Sequence, residues 1–238
     1  MYHRRHLLSK PKPWFERDGR SLLREEQALV SEHYPGLAFR ADAKSERMCL
    51  EGDFILKADC GISTSIYIRI DFPSNYPEGE PTAYDAAGRF APSLDRHILK
   101  DGQFCLWLPP CSPWSKDNPC RLLRFLDEVT VFLERQLVYD AINGQQWPGP
   151  QFKHGVDGYD EFMLLILGGN EEHLRCLFPV IVGRIHAGRN ELCPCGSKLK
   201  YKRCHADRVE EITRRIGRNR LQFLYGKSVS EDATTTKL

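Results

Sequence analysis

One cysteine, Cys105, lies in a setting that core packing alone does not explain. The dipeptide Asp101-Gly102 upstream is a strong turn signal, and three prolines between residues 109 and 113 exclude regular strand or helix downstream. The segment between these breakers is therefore predicted to be short and irregular. A thiol on irregular backbone can be presented to a partner, so Cys105 is a candidate nucleophile. The alternative is a buried core cysteine, the usual place of a free thiol.

A second group of reactive side chains follows near the C-terminus. Cys193-x-Cys195 is followed, after eight residues, by Cys204-His205. Three thiolates and one imidazole suit a closed, four-coordinate structural zinc site that leaves no ligand position open for catalysis. Four lysines and arginines between residues 198 and 203 would partly offset the charge of the thiolates. The alternative, a set of unpaired surface cysteines, does not explain this spacing.

The cysteine count indicates the compartment. The 238 residues contain nine cysteines, an odd number without the rhythm of a disulfide framework, which favours a reducing cytoplasm. The N-terminus lacks a signal-peptide pattern, and the longest apolar run, residues 162–167, is too short to span a bilayer.

Cys111 is a lesser candidate for reactivity. Four cysteines are expected to be core or surface thiols: Cys49, Cys60, Cys120 and Cys176.

Charge is unevenly distributed along the chain. Residues 184–227 carry twelve Lys/Arg and four Asp/Glu, a net 12 − 4 = +8, within a chain of net +2. This region is either a solvated basic face or a surface for a polyanion. It has few aromatic residues for stacking on bases, namely Tyr201, Phe223 and Tyr225, so nucleic-acid binding ranks last among the hypotheses.

The elements that must position these groups follow from periodicity. In the clearest strand, residues 63–72, three isoleucines alternate with Tyr, Arg and Asp, which buries one face. Asn118-Pro119 is a good start for a long amphipathic helix that stops at Asn143-Gly144. The other predicted elements are helices over residues 21–34, 159–167, 171–186 and 207–225, and strands around Phe39, over 49–57 and over 82–84. A helix followed by a meander of short antiparallel strands predicts an α+β fold.

This order resembles the ubiquitin-conjugating enzyme (UBC) fold, with an N-terminal helix, a meander, an active-site loop and a long crossing helix. The family's FP-x-x-YP-x-x-P loop is similar to residues 72–81 (FPSNYPEGEP), which have one extra residue before the last proline. Its G-x-[IV]-C-L active-site motif is similar to residues 102–106 (GQFCL), and its downstream tryptophan corresponds to Trp114. The resemblance covers about residues 20–145 by motif order. It implies that Cys105 accepts an acyl group as a thioester.

One departure concerns the group that assists transfer. The family usually has His-Pro-Asn ten, nine and eight residues before the cysteine, and its asparagine supports the oxyanion. Here these positions are Asp95, Arg96 and His97. An imidazole can donate to an oxyanion or act as a base, so His97 either replaces the amide or is a structural residue of an inactive variant.

The cysteine cluster resembles the SEC-C motif, a zinc-binding module that contacts partner proteins in the secretion ATPase. Residues 188–190 (GRN) and 193–197 (CPCGS) match it, and His205 occupies a position often held by cysteine. Lys198-Leu199 departs from the usual Gly-Lys. The resemblance implies a structural zinc ion held by Cys193, Cys195, Cys204 and His205.

The sequence is compatible with two functions. The first is an enzyme resembling conjugating-like proteins of bacterial antiphage (CBASS-type) operons, with an activating enzyme, a ubiquitin-like modifier and a target such as a cyclic-nucleotide synthase as partners. The second is an inactive UBC-fold adaptor whose zinc module docks a protein. The expected division is an extension (1–19), a UBC-like domain (20–158), a helical bridge (159–187), the zinc module with its basic helix (188–226) and a disordered tail (227–238).

Overall fold

Alternating apolar residues build a four-stranded antiparallel sheet. In the computed structural model, which describes residues 12–42, 47–57 and 63–226, the strands lie in the order β1-β2-β3-β4. The predicted alternation is confirmed, because Ile66, Ile68 and Ile70 are all buried. Ile70 pairs with Leu50 and Ile66 with Phe54, so the buried side chains of neighbouring strands share one face. The strands are β1 (Leu37–Asp42), β2 (Arg47–Lys57), β3 (Ser63–Asp71) and β4 (Thr82–Asp85).

Two helices complete this part of the chain. Helix α1 (Ser21–His33) follows a 3-10 segment (Trp14–Arg20), and helix α2 (Arg121–Ala141) is the longest helix described. The predicted start of α2 at Asn118-Pro119 is two residues early, since the Asn118 side chain accepts the Cys120 N–H (2.9 Å) in a turn before the helix. The inward face of α2 contributes Leu122, Phe125, Leu126, Val129, Phe132, Leu133, Gln136 and Tyr139 to the buried interior.

The connection between β4 and α2 carries the candidate nucleophile. It has two short 3-10 turns, Leu94–Arg96 and Pro109–Cys111, and Cys105 lies between them on irregular backbone. The predicted order of helix, antiparallel meander, irregular segment and long helix is confirmed, and the fold class is α+β.

The second half of the chain is helical around the cysteine cluster. The predicted helix over 207–225 is wrong as a single element, because Gly217 (φ 84°) ends one helix and starts another. The predicted helix over 171–186 ends five residues early, and Gly183 (φ 75°) follows its last turn. The helices are α3 (Gly155–Ile166), α4 (Glu171–Ile181), α5 (Ala206–Ile216) and α6 (Arg218–Tyr225).

The chain divides into two compact units. The first is Met1–Leu106 with Pro113–Gly149, and the second is Trp107–Ser112 with Pro150–Leu238. Residues 159–187, expected to form a bridge, therefore share a unit with the zinc module. The reason is a common core in which Phe162 of α3, Leu177 of α4 and Ile212 of α5 are buried together.

Three expectations lie wholly or partly outside the described residues: residues 1–11 of the extension, the tail at 227–238 and the thiol of Cys60. Among the helices in the described ranges, none combines the length and the apolar character needed to cross a membrane.

Candidate functional site

The segment that carries Cys105 is fixed by backbone contacts on both sides. Gly102 adopts a positive φ of 85°, as the Asp101-Gly102 turn signal predicts. The N–H of Phe104 donates to the Ala83 carbonyl of β4 (2.8 Å), and the Phe104 ring stacks on Phe132 of α2 (4.8 Å). Cys105 follows this anchor and is half-buried. The thiol is therefore neither on a regular element nor sealed in the core.

His97 lies next to this cysteine. The N–H of Cys105 donates to the His97 carbonyl (2.8 Å), and a ring nitrogen of His97 lies within 4.8 Å of Cys105 Sγ. His97 itself is buried and has a left-handed backbone (φ 55°, ψ 35°), while its ring packs against Trp147 (4.7 Å between centroids). The structure thus brings together Cys105 and His97, the two residues that were predicted as a catalytic pair from positions eight residues apart.

A buried amide holds the turn that presents His97. Gln136 Nε2 donates to the Arg96 carbonyl, and Gln136 Oε1 accepts from the Arg96 guanidinium (3.3 Å). The same guanidinium pairs with Asp140 and lies over the Tyr139 ring (4.9 Å). Gln136 is not among the site residues predicted from the sequence. Its signal was a polar residue on the apolar stripe of α2, three positions after Leu133.

Electrostatics at Cys105 are dominated by burial. Burial raises the pKa of the Cys105 thiol above its ordinary value, because a thiolate loses hydration there. At neutral pH the free thiol is therefore mostly protonated, and nucleophilic attack requires that its proton be removed. Burial also raises the pKa of Cys111, which Arg215 partly offsets, and Cys111 packs against the core of the second unit.

The loop over residues 72–81, which resembles the family's FP…YP motif, contacts Trp114, the tryptophan expected from the same resemblance. Trp114 Nε1 donates to the Pro77 carbonyl (3.1 Å), and the Trp114 ring packs on Tyr76 (5.7 Å). The Tyr76 hydroxyl donates to the fully buried Glu26 of α1 (2.6 Å). Arg121, at the start of α2, lies 3.4 Å from the same carboxylate oxygen. A buried polar network thus joins α1, the loop and α2.

The four residues of the predicted zinc site converge in the second unit. Their ligand atoms all lie within 4.8 Å of one another, with Cys193 and His205 buried and Cys195 and Cys204 half-buried. His205 Nδ1 is 3.4 Å from Cys193 Sγ and 3.1 Å from Cys204 Sγ. Cys195 Sγ is 3.6 Å from Cys204 Sγ.

These distances fit a tetrahedral zinc ion. Zn–S and Zn–N bonds of about 2.3 and 2.0 Å place tetrahedral ligand atoms about 3.5–3.8 Å apart, close to the spacing observed here. Burial lowers the pKa of His205, and His173 and Arg208 lower it further, which favours the neutral imidazole that a metal requires. The donor set therefore fits zinc; His205 would bind the ion through Nδ1, and four protein ligands would leave no position for substrate.

The aromatic residues of the basic C-terminal region are mostly unavailable for stacking. Tyr201 and Tyr225 are buried, and Phe223 is exposed. Tyr225 donates to Asp160 (2.6 Å), and Arg220 lies over the Tyr159 ring (5.7 Å). Part of the basic charge therefore serves packing within the unit.

Comparison with known proteins identifies one motif in this sequence. The family model of the SEC-C motif matches residues 189–207, a range that contains all four proposed zinc ligands. No curated protein matches the chain.

Two solved structures are similar to part of the chain. The yeast Vps23 UEV domain, in complex with a Vps27 PSDP peptide, is 19% identical and has a TM-score of 0.39; the match covers 58% of this chain and 86% of the UEV chain. A complex of the Vps23 UEV with ubiquitin is 17% identical and has a TM-score of 0.33, covering 50% of this chain and 84% of that one. UEV domains have UBC-like folds.

Proposed function

We propose that the chain is a ubiquitin-conjugating-like carrier that holds an acyl group as a thioester on Cys105 and passes it to an amine. The observation that carries this proposal is the placement of a half-buried thiol on irregular backbone, with a ring nitrogen of His97 within 4.8 Å of its sulfur. The resemblance of residues 72–81 and 102–106 to family motifs supports the same reaction class.

The reaction has two balanced steps. The Cys105 thiolate attacks the carbonyl carbon of the thioester that links a modifier, or a protein C-terminus, to an activating enzyme. A new C–S bond forms, and the activating enzyme's thiolate leaves. An amine of the target then attacks the Cys105 thioester, the tetrahedral oxyanion collapses, and the Cys105 thiolate is expelled as the amine loses its proton. Because thioester exchange is nearly balanced in energy, positioning of the thiol matters more than a lowered pKa.

His97 is the residue proposed to assist the second step. When Sγ carries an acyl group, the carbonyl oxygen lies beyond the sulfur. A ring nitrogen within 4.8 Å of the sulfur can then be within hydrogen-bonding reach of that oxygen. An imidazole N–H there can donate to the oxyanion, and a neutral ring nitrogen can accept the proton of the amine. Packing against Trp147 and the Arg96–Gln136 pair limits the positions open to His97.

The zinc module is proposed to be a docking element. Its four protein ligands would give a closed structural site, so it has no role in acyl transfer. Its basic region would bind a protein partner, and the function would belong to bacterial antiviral defence with a target such as a cyclic-nucleotide synthase. The free thiols that the reaction needs fit the cytoplasmic compartment predicted from the cysteine pattern.

A loading assay tests the carrier function. The purified chain is incubated with ATP, an activating enzyme and its ubiquitin-like modifier, using ubiquitin and any pair encoded beside the gene. We expect a band shift on a non-reducing gel that dithiothreitol removes. The shift should be lost in Cys105→Ala and kept in Cys111→Ala, the matched control six residues away. A shift that survives in Cys105→Ala would exclude Cys105 as the carrier.

A discharge assay tests His97 separately. Loaded protein is mixed with free lysine, and thioester decay is followed in wild type, His97→Asn and His97→Phe. Asparagine tolerates the left-handed backbone of residue 97 and restores an amide donor, so His97→Asn should retain discharge. His97→Phe keeps a ring beside Trp147 without a donor and should be slower by about 10²-fold. Equal rates in all three proteins would assign His97 a purely structural role.

One observation favours a second function, that of an inactive adaptor. Burial raises the pKa of Cys105, which does not favour a reactive thiolate. An adaptor predicts that Cys105→Ala leaves cellular function intact while Cys193→Ser abolishes it. The opposite pattern, with Cys105→Ala inactive in cells, supports the carrier.

A further inference from the structure

A histidine outside the cysteine cluster faces one of the proposed zinc ligands. His173 lies in the first turn of α4, where its N–H donates to the capping side chain of Asn170 (3.0 Å). The His173 and His205 rings meet edge to face, with 4.5 Å between their centroids. Leu177, one turn further along α4, is fully buried in the core that also contains Cys193. Helix α4 is therefore packed firmly beside the cluster.

His173 has an unused hydrogen-bonding atom at this contact. Its Nδ1 is buried and has no hydrogen-bond partner among the described residues. A buried polar atom without a partner is rare in folded proteins and calls for an explanation. The backbone N–H of the same residue is satisfied, because the Asn170 side chain accepts it. The orphaned atom thus lies on the ring that packs against a proposed metal ligand.

The chemistry of a metal-bound histidine supplies the missing donor. His205 turns Nδ1 toward Cys193 and Cys204, so a metal bound there leaves the ring proton on Nε2. Histidine ligands almost always donate this second N–H to an acceptor outside the ligand shell, which orients the ring and raises its basicity. A neutral imidazole nitrogen is such an acceptor.

We infer that His173 is the outer-shell positioning residue of the zinc site. The two rings are in edge-to-face contact but share no hydrogen bond in the structure, and His173 Nδ1 is the atom that would accept the Nε2–H of His205 once a zinc ion fixes the His205 ring. The inference rests on the zinc site proposed above and is independent of acyl transfer. It makes α4, which lies outside the matched motif, part of the metal-binding apparatus. Loss of an outer-shell partner typically lowers metal affinity about 10–100-fold, and we expect a loss in this range.

Zinc affinity in matched variants of the full chain tests the role. Zn²⁺ binding is measured by competition with a chromophoric chelator in wild type, His173→Phe and His173→Gln. Phenylalanine keeps a ring against His205 but cannot accept a hydrogen bond, and should weaken binding about 10–100-fold. Glutamine keeps an acceptor and should stay within a few-fold of wild type. His186→Phe, which changes an exposed histidine of the same unit, is the control and should bind as wild type.

The outcomes separate this role from simple packing. Wild-type affinity in His173→Phe would overturn the inference, as would equal weakening in both His173 variants. With Co²⁺ in place of zinc, the thiolate charge-transfer band should be unchanged in every variant, because the ligand set is the same. A changed ligand set in His173→Phe would make His173 a ligand and overturn the outer-shell role. Failure of the wild-type chain to bind zinc would instead reject the zinc site itself.

A measurement on the unmodified chain removes any dependence on variant folding. In ¹⁵N-labelled, zinc-loaded protein, NMR should show a slowly exchanging His205 Nε2–H with a scalar coupling across the hydrogen bond to His173 Nδ1. A His205 ring proton that exchanges rapidly with water, with no such coupling, would overturn the inference.

Discussion

Replacing Glu26 should reveal how much the first unit depends on its buried polar network. Glu26 is 1% exposed, and the side chain of its ionic partner Arg121 is 11% exposed. Glu26→Ala leaves the Tyr76 hydroxyl without its acceptor and the Arg121 guanidinium without its ionic partner, although Arg121 still donates to the Asn118 carbonyl. Removing one member of a buried ion pair costs about 3–5 kcal/mol, so we expect a loss of this size in the free energy of unfolding.

Two further variants divide this energy. Tyr76→Phe removes only the 2.6 Å hydrogen bond to the carboxylate, and should cost about 1.5–3 kcal/mol, the range for a hydrogen bond to a charged group. Glu26→Gln keeps an acceptor for Tyr76 and removes the buried negative charge. It should therefore destabilise the unit less than Glu26→Ala.

The pH dependence of the same variants has a definite sign. Burial raises the pKa of Glu26 above its ordinary 4.5, although Tyr76 and Arg121 oppose the shift. A raised pKa in the folded state means that ionising Glu26 costs more there than in the unfolded chain. The wild type should therefore lose stability relative to Glu26→Gln as pH rises from 4.5 through the folded-state pKa. Below pH 4.5, where Glu26 is largely protonated in both the folded and the unfolded chain, the wild type keeps this stability in full.

Urea unfolding followed by tryptophan fluorescence measures both effects. Trp14 lies 4.6 Å from the Tyr76 ring, and Trp114 lies 5.7 Å from it, so the emission reports on this network. Free energies are compared at several pH values between 4 and 8. If the free energy of unfolding of Glu26→Ala is within about 1 kcal/mol of the wild-type value at pH 7, the carboxylate contributes no more than a weak surface ion pair, and the reasoning is refuted. If the wild type instead gained stability relative to Glu26→Gln as pH rises, the predicted direction of the pH dependence would be wrong.

Two other perturbations follow from the sites. Removal of zinc by a chelator should lower the thermal stability and helicity of the second unit, because Cys193 is part of the core of that unit. An unchanged circular dichroism spectrum and melting temperature would count against a structural metal. Alkylation of Cys105 by iodoacetamide at neutral pH, mapped by mass spectrometry, should be slower than that of the exposed Cys120 and should accelerate with pH, since burial raises the Cys105 pKa. Equal rates at neutral pH would show that Cys105 is not protected.

Much of the fold could be predicted because its signals are local. The alternation of Ile66, Ile68 and Ile70 predicts β3, and the apolar stripe of α2 predicts the long helix. The break at Gly217 was also a local signal, but the amphipathic pattern on both sides of it favoured one continuous helix. The division into units was not local, since α3 and α4 could have packed on either neighbour until the shared core assigned them.

The candidate sites divide in the same way. The sequence alone determined the candidate zinc ligands, because the four residues lie within thirteen positions. It also determined the irregular backbone around Cys105 through a turn and three prolines. Only the tertiary structure decided that His97 packs on Trp147, that Gln136 holds Arg96, and that His173 meets His205. These partners are tens of residues apart along the chain, and a buried polar group finds its partner only when packing brings distant elements together.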